Sequence, residues 1–334
     1  MNNISTAPYI HTRRTGNERV ADWAIALLPV LIWSMFMFGG RVAMLSIIGV
    51  VFAIGLDYPV RRFILKQSGW LCFDFMSGIY GILAVFTMPV TVPLFTPVVS
   101  SALVVIAKNL KLFKGKRLFN PFIFSAGVMN LAFPKMMTAF TRPFAYFSAF
   151  DFVIDKELME YYRVISPLQY MADGSVYEDG VFAQLYGFAS GNMGEIAVAA
   201  ILLGVIYLAF RKEANLYSTI AVIFPILLLS LAFPSEDAES NYYAYSIILS
   251  GAIVFISTFG VNEKHTMPIT NSGRIITCVL LGCLIFAFRK AFGGVECGYI
   301  ILLALNAVSP FIEMVTKPRL SKKADKKAVK SNEK

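Results

Sequence analysis

The sequence predicts an all-α, polytopic integral membrane protein with about ten transmembrane segments, built as two inverted five-segment repeats with short or broken helices. Three observations lead there. Only 15% of the 334 residues are charged and 57% are hydrophobic, whereas soluble domains carry roughly 25% charged residues. The apolar residues are gathered into long blocks, which a scattered surface would not produce. Lysine and arginine then alternate between rich and poor connections along the chain, as the positive-inside rule requires of a multi-pass protein.

Taken in order, ten apolar blocks fall at roughly 21–39, 42–60, 70–88, 91–108, 121–133, 193–210, 215–233, 241–260, 274–288 and 296–314. The second is interrupted near Asp57-Tyr58-Pro59 and the ninth is short. Five domains follow: a cytoplasmic N-terminus (1–20), a first repeat (21–133), an extracytoplasmic loop (134–192), a second repeat (193–314) and a basic tail (315–334).

Orientation rests on the connections. Arg13, Arg14 and Arg19 precede the first block, and only Arg41 follows it. Arg61, Arg62 and Lys66 follow the second, and the stretch Thr87 to Pro93 has no base. Next come Lys108, Lys111, Lys114, Lys116 and Arg117. The long loop leans acidic, with Asp151, Asp155, Glu157, Glu160, Asp173, Glu178 and Asp179. Arg211-Lys212, the base-free 235–240, and Lys264 with Arg274 continue the alternation. Both termini are then cytoplasmic. Arg289-Lys290 is the exception, since alternation places it outside.

Five and five is also the division that internal echoes suggest. Ser77-Gly78 leads to Thr87-Met88-Pro89, and Ser250-Gly251 leads to Thr266-Met267-Pro268. Phe119-Asn120-Pro121 has a looser echo in Asn306 to Pro310. With five spans per half the second enters reversed, which puts a site between the halves at broken helices.

The segment from Lys108 to Pro134 is the most distinctive. Pro121 to Phe133 holds about thirteen residues against the ~20 of a spanning helix, and Asn120-Pro121 suits an N-cap followed by a first turn. A short helix with its N-terminal end exposed to a cavity is one reading; a buried packing helix is the other.

Several chemistries are excluded. Cys72, Cys278, Cys283 and Cys297 have no CxxC spacing, and His11 and His265 are the only histidines, so neither a metal site nor a disulfide framework is expected. The net charge of +9 sits largely in loops and the lysine-rich tail, a topology signal rather than a nucleic-acid surface. No cleavable leader is read in the polar first twenty residues. No hydrolase triad, nucleotide loop or iron–sulfur ligand set is present, so no catalytic residues are assigned.

Motifs in order along the chain resemble one family, which joins the D subunit of the Rnf electron-transport complex (RnfD) and the B subunit of the sodium-pumping NADH:quinone reductase (NqrB). Ala7 to His11 with the following run to Pro29 resembles that family's SPHxxS…ALLP, and Thr87 to Leu94 its LPPxxPLW. Phe119-Asn120-Pro121 through Phe133-Pro134 resembles FNPA…SFP, and Gly191 to Glu195 with Leu202 to Leu208 resembles GxxGE…LLGGxYL. Pro268 to Arg274 and Leu305 to Glu313 resemble SPxTxxGR and MNxxxPLID.

The resemblance implies a membrane subunit that carries electrons through bound FMN and couples this to sodium or proton movement. It implies other subunits of an Rnf-like complex, a flavin transferase and membrane lipid as partners. The family's FMN is linked to a threonine in an S-x-A-T motif, and a second flavin sits within the membrane. Here that motif aligns with Arg163 to Ser166, making Ser166 the candidate for covalent FMN; an ordinary Ser-Pro turn is the alternative. Asn120 and Gly81 are carried over as cofactor-side residues, although of the family's GGxGxN stretch ahead of FNPA only one Gly survives and the earlier Asn is Arg117. Asp74 matches an acidic position in the third span, an ion-coupling candidate or an interface residue. The matching acid of the second half is missing at Ser257 to Gly260. Glu195 is read as a helix cap, Glu296 and Glu313 as interfacial, and Tyr161-Tyr162 and Tyr242-Tyr243 as an aromatic belt. Because several family motifs are altered, a second reading stays open: a non-redox transporter, channel or scaffold of the same fold without flavins.

Overall fold

The computed structural model describes residues 16–66, 69, 73–110, 117–172, 180–234, 240–293 and 296–316. Expectations for the N-terminal arginines 13 and 14, for Ala7 to His11, for Cys72, for Lys111, Lys114 and Lys116, for Asp173, Glu178 and Asp179, for 235–239 and for the basic tail lie outside the described residues. Among the described residues the regular structure is helical, apart from one isolated antiparallel bridge between Thr141 and Arg163.

The first half holds α1 (Gly16–Phe38), α2 (Gly40–Pro59), α3 (Phe75–Phe86), α4 (Thr96–Asn109) and α5 (Pro121–Ala132). The connector carries the short α6 (Pro134–Met137), α7 (Lys156–Tyr162), α8 (Pro167–Ala172) and α9 (Gly180–Tyr186). The second half holds α10 (Val198–Phe210), α11 (Leu216–Ala232), α12 (Ser240–Leu249), α13 (Ile253–Phe255), α14 (Asn271–Phe292) and α15 (Gly298–Thr316). Each apolar block read from the sequence contains helix.

Length is where structure departs from expectation. Among the described residues four segments are long and apolar enough to cross a membrane: α1, α2 with a π-helical continuation to Ile64, α14 and α15. A fifth is broken, with Asn241–Leu249 and Ile253–Gly260 meeting at 61°. The apolar helices α3, α4, α5, α10 and α11 are shorter. At 1.5 Å per residue the 12-residue α3 covers about 18 Å of a hydrocarbon layer of about 30 Å.

Irregular backbone at such depth must find partners inside the protein. The break between α3 and α4 does so. Val90 and Val92 are buried, and their carbonyls accept from the Arg41 guanidinium at 3.0 Å each. The carbonyls of Phe86 and Met88 accept from Gly194 and Met193 amides, both at 2.9 Å. Arg41 also binds the carbonyls of Ser148 and Asp151. It is therefore a buried pin for loop backbone, which explains a lone base in an otherwise base-free connection.

Arg289, one of the two bases of the Arg289-Lys290 exception to the alternation, has the same explanation. It is buried, donates to the Ile247 and Ser250 carbonyls and pairs with Glu296 at 2.7 Å. A neutralised, buried arginine is not a topology signal.

Packing repeats between the halves. In the first, α2 touches α3 and α4, and α4 touches α5; in the second, α11 touches α12 and α14, and α14 touches α15. The halves meet along α1 with α10 and α5 with α15. The main core lies along these contacts, from Trp23 and Leu27 through Phe122 and Phe255 to Tyr299 and Leu302. The sequence echoes are not conformational equivalents, however. Ser77-Gly78 lies inside α3, whereas Ser250-Gly251 forms the break after α12, with Gly251 at φ +64°.

The short helix α5 begins at Pro121 as the sequence indicates, but its start is not exposed. Asn120 is extended and makes no side-chain cap. It is fully buried, and its Nδ2 donates instead to the Gly260 carbonyl of the second half at 3.1 Å. Phe122 stands edge-on to Phe255 at 6.0 Å. The start of α5 is a joint between halves; its other end, at Asn130 and Leu131, faces a cavity.

Candidate functional site

One cavity lies beside the connector and another by the start of α1. The first, of about 220 Å³, is enclosed by the C-terminal end of α5, the connector, the loop 189–196 and the break after α12. Leu131, Phe140, Leu168, Ile196, Leu249 and Ile300 make apolar walls, and Ser166, Gln169, Gln184, Asn192, Glu195 and Glu296 supply polar groups. This combination of apolar wall and few convergent polar groups is the usual make-up of a small-molecule site.

Ser166 precedes α8, and its carbonyl accepts from the Gln169 amide at 2.9 Å. The Ser-Pro pair therefore starts a helix, with Pro167 in its first turn. The hydroxyl lies only 3.4 Å from Gln169 partners, so it is loosely engaged. Ser190 anchors the segment before it by donating to the Ile165 carbonyl at 2.9 Å.

Glu195 comes from the Gly191 to Glu195 motif. The loop docks on the end of α3 through Met193 and Gly194, and the Ser34 hydroxyl donates to the Met193 carbonyl. Gly194 is required there, because a Cβ would meet the Phe86 ring carbon at 2.8 Å. Glu195 itself is not a helix cap: Ala197 occupies that position without a side-chain bond. Its Oε1 accepts from Asn192 Nδ2 at 2.8 Å and from the Tyr299 hydroxyl. Both donors are neutral.

Glu296 lies between α14 and α15. It lines the same cavity, paired with Arg289 and accepting from the backbone amides of Ala252 and Gly298 at 3.1 Å each. Tyr299 and Glu195 thus connect α15 to the loop before α10, within the second half.

The second cavity, of about 810 Å³, lies by the start of α1 and is lined by Arg19, Arg61, Asp74, Tyr80, Arg117 and His265 among others. Arg19 reaches Glu213 at 3.4 Å and Glu263 at 3.5 Å, and Lys264 reaches Glu213 at 2.8 Å. Burial lowers the His265 pKa; Glu263 opposes this, and Arg117, Arg19 and Lys264 reinforce it.

Behind this cavity lies a charge network. Asp74 N-caps α3, accepting from the Met76 amide at 3.0 Å. Its Oδ2 pairs with Arg61 and, at 2.7 Å, with Lys108. Lys108 also reaches Asp57 at 2.8 Å and the Ser77 hydroxyl. Asp57 further accepts from Arg61 at 2.9 Å, Ser77 at 2.8 Å and Asn109 at 2.8 Å.

The four residues singled out from the sequence are not brought together. Ser166 lines the first cavity, Asp74 the second, and Asn120 bridges the halves. Gly81 lies where α3 crosses α2: a Cβ there would meet the Gly49 carbonyl oxygen at 2.5 Å and the Ala53 Cβ at 2.8 Å. Its smallness serves helix contact. The sequence reading missed Asp57 and Lys108 as partners, and a charge of each sign at the ends of two apolar blocks was the available signal. Tyr299 carried no signal of its own.

A bundle of long, short and broken apolar helices, with irregular backbone satisfied internally and a cavity between its halves, defines a multi-pass membrane protein. The chain belongs to the NQR2, RnfD, RnfE family, which it matches over residues 3–322. It is 23% identical over 322 residues to the D subunit of the proton-translocating ferredoxin:NAD(+) oxidoreductase complex of Clostridium ljungdahlii, covering 94% of each chain. It is 25% identical over 333 residues to the D subunit of the Na(+)-translocating ferredoxin:NAD(+) oxidoreductase complex of Acetobacterium woodii, covering 95% of this chain and 94% of that one. To the D subunit of the ion-translocating oxidoreductase complex of Stutzerimonas stutzeri it is 24% identical over 328 residues, with 88% and 89% covered.

Proposed function

We propose that this chain is the D-type membrane subunit of an Rnf-like, ion-translocating electron-transport complex in a bacterial inner membrane. It works with the other subunits of that complex, both termini are cytoplasmic, and the two halves are inverted repeats. The recurring packing order of α2–α5 and of α11, α12, α14 and α15 supports the repeat.

FMN would be held in the cavity beside Ser166, whose hydroxyl would carry it as a phosphoester attached by a flavin transferase; with a second flavin it would supply the electron transfer. One observation carries this reading. Ser166, aligned with the attachment site only by resemblance, lines the same cavity as Asn192 and Glu195 of the GxxGE-like motif. Two family motifs distant in sequence converge on one cavity. The residues present fit the group: Leu131, Phe140 and Leu168 offer a face for a flat ring, Gln169, Gln184 and Asn192 offer polar contacts, and the Ser166 hydroxyl is loosely held. When bound, the flavin supplies electron transfer; the chain's residues bind it, orient it and keep water from it.

The test is direct. The protein is co-expressed with a flavin transferase, denatured and run on a gel under ultraviolet light. A fluorescent band is expected, and it disappears in Ser166→Ala. No band, together with no flavin released on denaturation, favours the other reading, a transporter, channel or scaffold without flavin. The tight α2–α3 contact at Gly81, where a ring has no room, is the observation on that side.

A further inference from the structure

We propose that Asp57, Asp74 and Ser77 form a cage for a monovalent cation, and that the ammonium of Lys108 occupies it as a tethered cation. The inference develops the ion-coupling reading of Asp74 but needs no flavin, so failure of the fluorescence test leaves it standing.

An ammonium has three N–H donors and no acceptor. Those of Lys108 have three oxygen partners: Asp57 Oδ2 at 2.8 Å, Asp74 Oδ2 at 2.7 Å and the Ser77 hydroxyl. The side chain of Lys108 is 1% exposed, as is that of Asp57. A lysine that merely marked the cytoplasmic surface would extend to water. This one turns inward from α4 onto oxygens supplied by α2 and α3.

Among the described residues the charges balance. Two carboxylates, Asp57 and Asp74, face two cations, Lys108 and Arg61. A free cation added to this set would have no counter-charge, and the Lys108 ammonium already holds the position that the three oxygens define. Hard monovalent cations seek the same kind of shell, oxygens with negative charge nearby, so Lys108 excludes them by occupancy.

The cage has an approach. Asp74 is 24% exposed and lines the 810 Å³ cavity, while Lys108 and Asp57 lie behind it. A cation from that cavity meets Asp74 first and must displace Lys108 to reach Asp57. Arg61, on the cavity wall, pairs with both carboxylates and shares their charge.

The experiment uses the purified full-length protein and sodium ion as the probe. Thermal unfolding is followed in sodium chloride and in choline chloride at equal ionic strength. Wild type is expected to unfold at the same temperature in both. Lys108→Ala is expected to unfold several degrees higher in sodium than in choline, because sodium takes the vacated position. In Asp57→Asn/Lys108→Ala that sodium dependence is lost, while stability in choline rises above that of Lys108→Ala because charge balance returns. A purely structural ammonium would give no sodium-specific response. The proposal is overturned if Lys108→Ala shows no sodium dependence, or fails to fold in either salt. It is equally overturned if wild type is stabilised by sodium and Asp74→Asn removes the effect.

Discussion

The cage around Lys108 and the cavity beside Ser166 each hold two carboxylates, one buried and one partly exposed, and they neutralise them differently. In the cage both acids touch both cations, and these four groups come from α2, the start of α3, α4 and the π turn after α2. In the cavity the charge is divided unevenly. Among the described residues Glu296 has Arg289 and two backbone amides, whereas Glu195 has the Tyr299 hydroxyl and the Asn192 amide. A cage with matched charges is complete without a visitor. A cavity holding a carboxyl with neutral donors, a loosely engaged serine and apolar walls has polar groups to spare for one.

The largest effect is expected where matched charge is broken. Asp57→Asn removes a carboxylate that Lys108, Arg61, Ser77 and Asn109 all address. Removing one member of a buried pair costs about 3–5 kcal/mol, because the remaining charge stays buried. Chemical unfolding in detergent should show that loss. A change below 1 kcal/mol (the range of exposed pairs, roughly 0–1 kcal/mol) would mean that water reaches the network and the cage is not closed.

A smaller effect is expected from pushing the cage's walls apart without touching its charges. Gly81→Val places branched carbons against the Gly49 carbonyl and Ala53, where α3 crosses α2. Overpacking of this kind costs about 1–3 kcal/mol. Since Asp57 is on α2 and Ser77 on α3, the same variant should also loosen their 2.8 Å hydrogen bond. Double substitution with Asp57→Asn is then expected to cost less than the sum of the two, and strict additivity would show that the crossing and the cage are independent.

How much of this is legible in the sequence follows from what each signal measures. Apolar block length locates the helices, because burial in lipid or protein demands the same composition along each of them. It does not tell spanning from shorter helices: α3 and the irregular stretch after it, Thr87 to Phe95, are continuous in composition and differ only in where backbone hydrogen bonds go. Base counting takes Arg41 and Arg289 for topology, since counting does not see that each guanidinium is consumed by buried carbonyls. Family resemblance brings Ser166 and Glu195 into view separately, and only the fold places them in one cavity. Lys108 reads in sequence as the first residue of a basic loop. Its inward turn depends on Asp57 and Asp74, 51 and 34 positions away in sequence, a pairing that no local pattern encodes.

The smallest effect is expected at Glu195, and it is the sharpest check on the comparison. Glu195→Gln keeps the side-chain oxygen that receives Tyr299 and Asn192. Neither of those donors is a cation left without its counter-charge. The added amide nitrogen needs an acceptor, and Asn192 Oδ1, three residues away and buried without a partner among the described residues, is one. The expected cost is within about 1 kcal/mol, the scale of a rearranged neutral hydrogen bond. Glu195→Leu has similar bulk but strands the Tyr299 hydroxyl and the Asn192 amide, and should cost about 1–3 kcal/mol more. Both are read by the same unfolding measurement as Asp57→Asn. If Glu195→Gln proves as damaging as Asp57→Asn, Glu195 is holding a charge pair after all, and the cavity is as internally balanced as the cage.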